Sequence, residues 1–260
     1  MQARLDGKVA LVTGSTQGIG GAIAEEAVRS GAAAILVTGR DPKRGADTVA
    51  KLIGLGARAA FVAAELSDAE TPGRLVGECV RQFGRIDLLV NAAANTDRAS
   101  VLDATLDDWS RLFDINARAP LFLMQAAITA MRAAGRGGAI VNILSMNAHG
   151  GTADLAVYSA TKAALAILTR NAAQTHRHDR IRVNGINVGW VPTPAEHVMQ
   201  AKTLGKGADW AEKAAAAMPF GRLLQPEEVA NLAVFLLSDA AGPMTGALVD
   251  QEQWVVGARE

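Results

Sequence analysis

Tyr158 is the only tyrosine of the chain, and Lys162 follows it by four positions. On a helix, side chains four positions apart lie on the same face, so the phenol and the ammonium group would share one surface. An ordinary tyrosine has a pKa near ~10, and a neighbouring positive charge lowers that pKa toward the range useful for acid–base catalysis. The pair therefore predicts proton transfer to or from a substrate oxygen. Taken alone, the spacing is better explained by a half-buried helical tyrosine beside a solvated lysine.

A third candidate residue, Ser145, ends a strand-like run, and Tyr158 lies near the start of a helical run. Strands and helices must therefore bring these residues together. Short β-branched or aliphatic runs predict about seven strands, at residues 9–13, 34–38, 59–63, 86–90, 139–144, 181–186 and 247–250. Longer amphipathic stretches predict helices, at residues 18–30, 42–55, 68–83, 106–134, 156–175 and 226–237.

The arrangement of these elements indicates the fold class. Strands that consist of continuous apolar runs suit a parallel sheet covered by helices on both faces. Their alternation with helices favours right-handed βαβ crossovers. We therefore predict a single α/β domain over residues 1–260, with a Rossmann-like, doubly wound parallel sheet. Residues 190–220 break the alternation, and we expect them to form a partly helical lid over a site.

A glycine-rich turn follows the first predicted strand and opens the first predicted helix. Its glycines, Gly14, Gly18 and Gly20, permit a tight turn and a close approach of the backbone to phosphate groups. The helix N-terminus would present unpaired N–H groups to an anion. The spacing differs from the G-x-G-x-x-G fingerprint, and a plain connection between strand and helix is the alternative. The position of the turn between these two elements nevertheless favours dinucleotide binding.

Basic residues after the second predicted strand bear on the kind of dinucleotide. Cofactors without a 2′-phosphate are usually held there by an acidic residue, whereas this chain has Gly39 followed by Arg40, with Lys43 and Arg44 close by. Because an arginine guanidinium matches the geometry of a phosphate group, NADP is predicted over NAD. NAD is the alternative, in which Arg40 stacks on adenine and discriminates little. Gln17, in the glycine turn, adds no charge.

The composition excludes several other classes of protein. The chain has 26 basic and 26 acidic residues, and this balance predicts neither a nucleic acid nor an anionic membrane as a partner. No apolar run reaches membrane-spanning length, and the charges among the first eight residues do not suit a signal peptide, so we expect a cytoplasmic protein. Cys79, the only cysteine, is predicted to be a small buried hydrophobe. The four histidines lack zinc-ligand spacing, and no metal site is predicted.

Together, these motifs resemble the short-chain dehydrogenase/reductase family, in the branch whose chains are about as long as this one. The resemblance covers essentially the whole chain. It is carried by the turn Thr13-Gly14-x-x-x-Gly18-Ile19-Gly20, the segment Asn91-Ala92-Ala93, Asn116, Ser145, the motif Tyr158-x-x-x-Lys162 and residues 187–193. It implies a Rossmann fold and hydride transfer between a nicotinamide cofactor and a carbon that bears an oxygen.

The resemblance implies a role for each candidate catalytic residue. Tyr158 would be the general acid or base acting on the substrate oxygen, and Ser145 would hydrogen-bond the same oxygen. Lys162 would lower the pKa of the tyrosine and bind the ribose hydroxyls next to the nicotinamide. Asn116 would anchor a water that leads from Lys162 toward solvent. An asparagine is unfavourable in mid-helix, and a hydrogen bond that satisfies a local helix distortion is compatible with that role.

The resemblance also implies which residues contact the ligands. Cofactor contacts are expected from Gly14, Ser15, Gln17, Gly18, Ile19, Gly20, Arg40, Glu65, Leu66, Asn91, Ala92, Ala93, Tyr158, Lys162, Gly189, Val191 and Thr193. Substrate contacts are expected from Ser145, Asn147, His149, Tyr158 and Trp190. Three positions depart from the family pattern, because Glu65 replaces an aspartate, Ala93 a glycine and Val188 a proline. These departures bear on cofactor affinity rather than on the reaction class.

Three hypotheses about function remain at this stage. The leading one is an NADP-dependent carbonyl reductase or alcohol dehydrogenase that acts on a small molecule. The second is an NAD-dependent sugar or polyol dehydrogenase, which the polar residues Asn147 and His149 and the indole of Trp190 would suit. The third is a catalytically silent dinucleotide-binding sensor or scaffold, which we would expect to lack Tyr158 or Lys162. The resemblance further implies a homo-oligomer, a dimer or tetramer, whose interface is formed by the two longest predicted helices.

Overall fold

Seven short aliphatic segments form one parallel sheet in the computed structural model, which describes residues 3–257. The strands are β1 (Val9–Val12), β2 (Ala34–Gly39), β3 (Arg58–Ala63), β4 (Leu88–Asn91), β5 (Gly138–Ile143), β6 (Ile181–Val188) and β7 (Leu248–Gln251). Their order across the sheet is β3-β2-β1-β4-β5-β6-β7, and every neighbouring pair is parallel. The order reverses between β1 and β4, which is where ligands bind in doubly wound sheets.

Helices cover both faces of the sheet, because the strands are apolar on both sides. They are α1 (Gly18–Arg29), α2 (Pro42–Gly54), α3 (Thr71–Phe83), α4 (Leu106–Phe113), α5 (Ala119–Ala134), α6 (Ala156–His176), α7 (Pro194–His197), α8 (Trp210–Ala216) and α9 (Pro226–Leu237). The core on one face includes buried residues of α1, α2 and α9. The core on the other face includes those of α3, α5 and α6. The predicted α/β fold is confirmed.

The predicted single helix over residues 106–134 is wrong, because a π-helical turn, Asp114–Arg118, separates α4 from α5. Pro120 explains the break. A regular helix would pair the N–H of residue 120 with the carbonyl of Asn116, and proline has no N–H to donate. Instead, the N–H of Ala119 bonds to the carbonyl of Asp114, five residues back. The carbonyl of Asn116 has thereby lost the donor that a regular helix supplies.

Residues 190–220 are partly helical, as expected, and consist of α7, a π-helical turn (Val198–Thr203) and α8. Two hydrogen bonds attach the ends of this lid segment to its surroundings. Leu224 N–H donates to the carbonyl of Trp190 at 3.1 Å, and Phe220 N–H donates to Gln253 Oε1 at 2.8 Å. Across residues 3–257, no helix is both long enough and apolar enough to cross a membrane.

Candidate active site

The predicted site residues meet at one edge of the sheet, because parallel strands all end there. The glycine loop (residues 13–20) follows β1, Asn91 ends β4, and Ser145 comes two residues after β5. Gly189 directly follows β6, and Arg40 directly follows β2. The lid segment then leaves from Gly189 and crosses the same edge. Residues far apart in the sequence are thus brought to one place by the topology of the sheet.

Steric limits explain the glycines of the loop. Gly14 has a positive φ of +63°, and a Cβ there would lie 2.7 Å from the Cα of Ala93. A Cβ on Gly20 would lie 2.5 Å from the carbonyl oxygen of Gly14. Gly18 also has a positive φ, +56°, and a Cβ there would approach the side chain of Thr193 at 3.2 Å. Only glycine allows this close packing of the loop, the turn after β4 and the start of the lid.

The N-terminus of α1 is free to receive an anion. Gln17 precedes the helix with extended backbone, its side chain caps no N–H group, and the first turn has no acidic residue. The first N–H groups of a helix have no partner within the helix, and the helix dipole favours negative charge there. This cradle of glycines and open N–H groups fits the pyrophosphate of a dinucleotide.

Ser15 was predicted to contact the cofactor, but its polar groups are committed to the protein. Its hydroxyl donates to the Val12 carbonyl at 2.7 Å and accepts from Thr38 N–H at 3.0 Å. Its own N–H donates to the Thr38 carbonyl at 3.1 Å. Ser15 is fully buried and shapes the loop by tying β1 to β2, and both its hydroxyl and its N–H are used in these contacts.

The turn after β4 is held against the glycine loop by a threonine. Thr13 Oγ1 accepts hydrogen bonds from the N–H groups of Ala92 and Ala93, at 3.1 and 3.2 Å. Asn91 donates from Nδ2 to Asn142 Oδ1 at 2.8 Å, and its own Oδ1 is buried without a partner among the described residues. The methyl of Ala93, where the family pattern has glycine, therefore faces Gly14.

Two arginines, Arg40 and Arg44, follow β2 at the edge of the sheet. Arg40 is 80% exposed, and its Nη1 lies 3.9 Å from Glu65 Oε2, which is too long for a hydrogen bond. Arg44 is more firmly held, since it donates to Asp41 Oδ2 at 2.9 Å and to Gln17 Oε1 at 2.5 Å. Leu66, next to Glu65, is buried. A Cβ at Gly39 would come within 2.8 Å of Thr16 Oγ1, so an acidic side chain does not fit at that position.

Tyr158, Lys162 and Ser145 are all buried and lie together. Lys162 Nζ lies 5.7 Å from the centre of the Tyr158 ring and donates to the carbonyl of Ile143 at 2.8 Å. The Ser145 hydroxyl lies close enough to the Tyr158 phenol to lower its pKa, and its Oγ accepts from the N–H of Asn147 at 3.2 Å. One helix, α6, therefore presents the phenol and the amine to the end of β5, as the spacing predicts.

Lys162 is expected to lower the pKa of Tyr158, but burial has the larger effect on this pKa. Burial raises the pKa of Tyr158 to about 12, although the hydrogen bond from Ser145 opposes this rise. Two further charges act on the same pKa, since Glu196 raises it and Arg98 lowers it. Burial also lowers the pKa of Lys162 to about 8. Both shifts disfavour the charged forms, because the interior solvates charge poorly.

Asn116 lies in the π-helical turn and is fully buried. Its Oδ1 accepts from Asn95 N–H at 2.8 Å, and its Nδ2 donates to the Asn95 carbonyl at 2.8 Å and to Thr161 Oγ1 at 3.1 Å. The side chain therefore fastens the loop after β4 to α6. Because the side chain is used in this way, the predicted water would be held by the freed backbone carbonyl of Asn116.

Asn147 and His149, which are predicted to bind substrate, both hydrogen-bond to other protein groups. Asn147 Oδ1 accepts from the hydroxyl of Thr152 at 2.5 Å, within the loop after β5. His149 was predicted at the substrate, but its Nε2 lies 3.1 Å from Asp250 Oδ1, which also accepts from Asn187 Nδ2 at 2.7 Å. His149 thus fastens the loop to the ends of β6 and β7.

Trp190 is half-buried and belongs to the lid. Its Nε1 donates to Glu196 Oε1 at 2.9 Å, and its ring packs against Trp210, with ring centres 5.7 Å apart. Val191 is buried beside it, and Thr193 caps α7 by accepting from Glu196 N–H at 3.1 Å. The indole therefore holds the first helix of the lid in place.

Sequence reasoning missed Arg98 and Glu196. Arg98 lies in the loop after β4 and Glu196 in α7, and both are largely buried, with 18% and 15% of their side chains exposed. Their charges act on the phenol of Tyr158. No short-range pattern connects residues 98 and 196, although charged residues next to expected substrate loops were a usable signal.

A separate cavity of about 580 Å³ opens beside the glycine loop. It is lined by residues of the loop, by Arg44 and by the outer faces of α1, α2 and α9. Neither Ser145 nor Tyr158 lines it. The cavity therefore adjoins the anion cradle rather than the phenol.

Comparisons with known proteins agree with this geometry. A family model described as Enoyl-(Acyl carrier protein) reductase matches residues 14–251, a range that contains every predicted site residue. A sorbitol dehydrogenase from Cereibacter sphaeroides is 38% identical over 243 residues, covering 92% of this chain and 93% of that protein. A galactitol 2-dehydrogenase from Agrobacterium fabrum is 37% identical over 239 residues, covering 90% of this chain and 92% of that protein. The crystal structure of L-sorbose reductase from Gluconobacter frateurii, complexed with NADPH and L-sorbose, matches with a TM-score of 0.92 and 32% identity, covering 100% of both chains.

Proposed function

We propose, on the premise that the chain belongs to the short-chain dehydrogenase/reductase family, that it interconverts a polyol and the corresponding ketose with NADP(H). Members of the family that match this chain are oxidoreductases of CH–OH and C=O groups, and so is this chain. The proposal is carried by the buried cluster of Tyr158, Ser145 and Lys162 beside the glycine loop. A buried phenol beside a serine hydroxyl and a lysine amine, at the edge of the sheet where the strands end, is a site for handling the proton of a substrate oxygen.

Tyr158 is the proton donor and acceptor of the proposed reaction. Because burial raises its pKa to about 12, the phenol carries its proton at neutral pH and is ready to protonate the oxygen of a ketone. In the direction of alcohol oxidation, the phenol must first lose that proton. The rate of oxidation should therefore rise with pH over a range in which the rate of reduction falls.

Ser145 and Lys162 support the tyrosine in different ways. The hydroxyl of Ser145 lowers the pKa of the phenol and would hydrogen-bond the substrate oxygen as well. Lys162 Nζ, held by the Ile143 carbonyl, supplies donors at the floor of the site. The backbone carbonyl of Asn116, free of its helix partner, begins a path for protons toward solvent. These groups fix where the proton is held and exclude bulk water from the phenol.

The glycine loop is the proposed cofactor site. The N–H groups at the start of α1 would bind the pyrophosphate, and the close contacts of Gly14, Gly18 and Gly20 would let the backbone approach it. Asn91, whose Oδ1 is buried without a partner among residues 3–257, would contribute a free acceptor. The bound dinucleotide would supply the hydride chemistry, which no side chain of a protein provides.

The edge beyond β2 supports NADP over NAD. No acidic side chain fits at Gly39, because Thr16 occupies the space. Arg40 is exposed and only loosely paired with Glu65, so its guanidinium is free to meet a 2′-phosphate. NAD is the alternative cofactor, since Glu65 and Asp41 already balance the charges of Arg40 and Arg44.

A polyol is supported by the relatives and by the polar lining of the site. The sorbitol dehydrogenase, the galactitol 2-dehydrogenase and the L-sorbose reductase each carry the name of a polyhydroxylated compound. Arg98, Glu196 and Gln200, in the lid and the loop next to it, are charged or amide side chains, and such groups hydrogen-bond the hydroxyls of a sugar alcohol.

We also propose that the protein is a homo-oligomer whose copies meet at α4. The apolar side chains of Val101, Leu102 and Leu106 are 91%, 97% and 88% exposed, which a free surface disfavours. Light scattering tests this proposal, and a mass of one chain at micromolar concentration would contradict it.

The proposed function is tested by incubating the protein with NADP+ and either sorbitol or galactitol, and following the absorbance of the reduced nicotinamide. We expect turnover with at least one hexitol and formation of the corresponding ketohexose. Turnover of simple secondary alcohols without any turnover of polyols would contradict the proposed substrate class. Turnover with NAD+ at higher kcat/KM than with NADP+ would contradict only the choice of cofactor.

A further inference from the structure

We propose that Arg98 and Glu196 form a charge clamp that binds a neutral hydroxyl group of the substrate, away from the carbon that is oxidised or reduced. The inference rests on the proposed function and names the residues that make the site specific for a polyhydroxylated substrate. The two side chains come from different segments, Arg98 from the loop after β4 and Glu196 from α7 in the lid.

The two side chains of the clamp lie close together but are not hydrogen-bonded to each other. Arg98 Nη2 lies 3.8 Å from Glu196 Oε1, which is within reach of attraction between charges but beyond a hydrogen bond. Both side chains are largely buried, so each charge has lost most of its water. Largely buried charges are normally held by close, hydrogen-bonded partners, and no hydrogen bond joins this pair.

Some N–H donors of Arg98 have no hydrogen-bond partner in the described chain. Its Nη1 donates to the Thr96 carbonyl at 2.7 Å, but its Nε is buried with no hydrogen-bond partner among residues 3–257. The carboxylate of Asp154 lies 3.4 Å from Nε without forming a hydrogen bond. An arginine that is buried and only partly satisfied is completed by a ligand that offers an oxygen lone pair.

One carboxylate oxygen of Glu196 accepts no hydrogen bond from the described chain. Its Oε1 already receives hydrogen bonds from Trp190 Nε1 at 2.9 Å and from Gln200 Nε2 at 2.6 Å. Within the described chain, no group donates to its Oε2. Gln200 is itself 3% exposed, and its Oε1 is buried without a partner. The lid therefore fixes one oxygen of the carboxylate and leaves the other, together with an unpaired amide oxygen, for a donor from outside.

The chemistry of the clamp favours a hydroxyl over a carboxylate. An alcohol group both donates and accepts, so one hydroxyl can donate to Glu196 and accept from Arg98 at once. A carboxylate could bind Arg98 but would meet the negative charges of Glu196 and Asp154 at close range. The positive charge is thus already balanced, and a neutral polyol fits where an acid does not.

The charges of the clamp also reach the phenol, and they act in opposite directions. Glu196 raises the pKa of Tyr158 and Arg98 lowers it. Removing one partner therefore has a signature that a purely structural role would not produce. The pH profile of turnover should move up without Arg98 and down without Glu196.

The experiment compares Arg98→Gln and Glu196→Gln with the wild type. Arg136→Gln and Glu212→Gln are matched controls, because both residues are exposed and form no ion pair in the described chain. For each protein, kcat/KM is measured with a hexitol, with cyclohexanol and with a hydroxycyclohexanecarboxylate, and the hexitol reaction is followed against pH. Cofactor affinity, measured by fluorescence, confirms that each variant is folded.

The proposal predicts that the ratio of kcat/KM for hexitol to that for cyclohexanol falls at least tenfold in both clamp variants and stays within twofold in both controls. The apparent pKa should rise in Arg98→Gln and fall in Glu196→Gln. Arg98→Lys, which keeps the charge without the fork of donors, should restore the apparent pKa but not the preference for hexitol.

Three outcomes would overturn the clamp. An unchanged ratio in Arg98→Gln and Glu196→Gln, with wild-type turnover of hexitol intact, would remove the clamp and leave the proposed function standing. A wild-type preference for the carboxylated alcohol that disappears in Arg98→Gln would identify an acid as the ligand. An absence of any dinucleotide-linked turnover in the wild type would defeat the proposed function, and the clamp with it.

Discussion

The glycine loop and the charge clamp lie at the same edge of the sheet but satisfy their polar groups differently. In the loop, both the hydroxyl and the N–H of Ser15 are bonded to neighbouring strands. In and beside the clamp, Arg98 Nε and Gln200 Oε1 are buried without partners among residues 3–257. An unpaired buried polar group costs roughly 1–3 kcal/mol. We interpret the Ser15 turn as a scaffold that the protein itself completes and the clamp as a site that its substrate completes.

The largest expected effect comes from breaking the cradle with Gly20→Ala. The new methyl would lie 2.5 Å from the Gly14 carbonyl oxygen, which belongs to the backbone and cannot rotate away. Because overpacking of this kind costs about 1–3 kcal/mol, we expect the free energy of unfolding to fall by that amount. Titration calorimetry should show dinucleotide affinity reduced at least tenfold, since the loop must move.

Gly21→Ala is the matched control for that substitution. It lies one position along the same helix, and its new methyl would meet the Ser15 carbonyl oxygen at 3.5 Å and the Thr16 carbonyl carbon at 4.0 Å, both ordinary contacts. Alanine is favoured over glycine inside a helix by about 1 kcal/mol, so stability should be kept or increased. Equal damage from both substitutions would contradict the account of the loop as a close-packed cradle.

Lys162 is buried, and its burial predicts a pH dependence of stability. Its pKa is lowered from 10.5 to about 8, so between these pH values the unfolded chain binds more protons than the native one. The free energy of unfolding of the wild type should therefore gain a contribution that rises from pH 8 to pH 10. The gain is on the order of 2 kcal/mol, from ~1.4 kcal/mol per pKa unit.

Lys162→Met removes the titrating amine, so comparing this variant with the wild type isolates the contribution of Lys162. Denaturant titrations at pH 8 and pH 10 should show the rise in the wild type and a smaller rise, or none, in the variant. A rise of the same size in both proteins would show that other groups cause it. The Tyr158 pKa of about 12 adds the opposite slope only above pH ~10, where unfolded tyrosine ionises, so the chosen window separates the two.

A moderate effect is expected at the adenosine end of the loop from Arg40→Gln. Removing the exposed guanidinium should lower kcat/KM for NADP about tenfold, equivalent to ~1.4 kcal/mol, and leave kcat/KM for NAD within about twofold. Lys43→Gln is the matched control, since it removes the same charge three residues further on. If both cofactors lose equally, Arg40 stacks on the adenine rather than reading a 2′-phosphate.

The smallest expected effect is the stability change in Gln200→Met. Methionine matches the length of glutamine, removes the unpaired Oε1 and loses only one hydrogen bond, to Glu196. Because the two changes oppose each other, the unfolding free energy should change by less than about 1 kcal/mol, while KM for a hexitol should rise. A large loss of stability in thermal denaturation would show that the lid, like the loop, is a finished structure.

Local rules made the fold and the glycine loop predictable. The apolar runs of β1 and β2 and the periodic pattern of α1 depend on neighbours within a few residues. The positive φ angles of Gly14 and Gly18 follow from the turn itself, and only glycine adopts them freely. The break at Asn116 was also encoded locally, because Pro120 removes its helix partner, and the single predicted helix overlooked that signal.

Long-range contacts account for what could not be predicted. Arg98 meets Glu196, and His149 meets Asp250, across about a hundred positions of the sequence, and no periodicity connects such pairs. The spacing of Tyr158 and Lys162 places both on one face of α6. It does not reveal how deeply that face is covered, and burial is the largest influence on the pKa of Tyr158. Burial is a property of the whole fold.

The central claim, that Tyr158 handles the proton of the substrate oxygen, is tested most directly by Tyr158→Phe. The substitution removes one hydroxyl and keeps the ring that fills the interior. We expect kcat for hexitol oxidation to fall about 10²–10⁴-fold, the usual contribution of a general acid or base, with dinucleotide affinity within about fivefold of the wild type. Turnover that is undiminished in a variant that binds the dinucleotide normally would contradict the account.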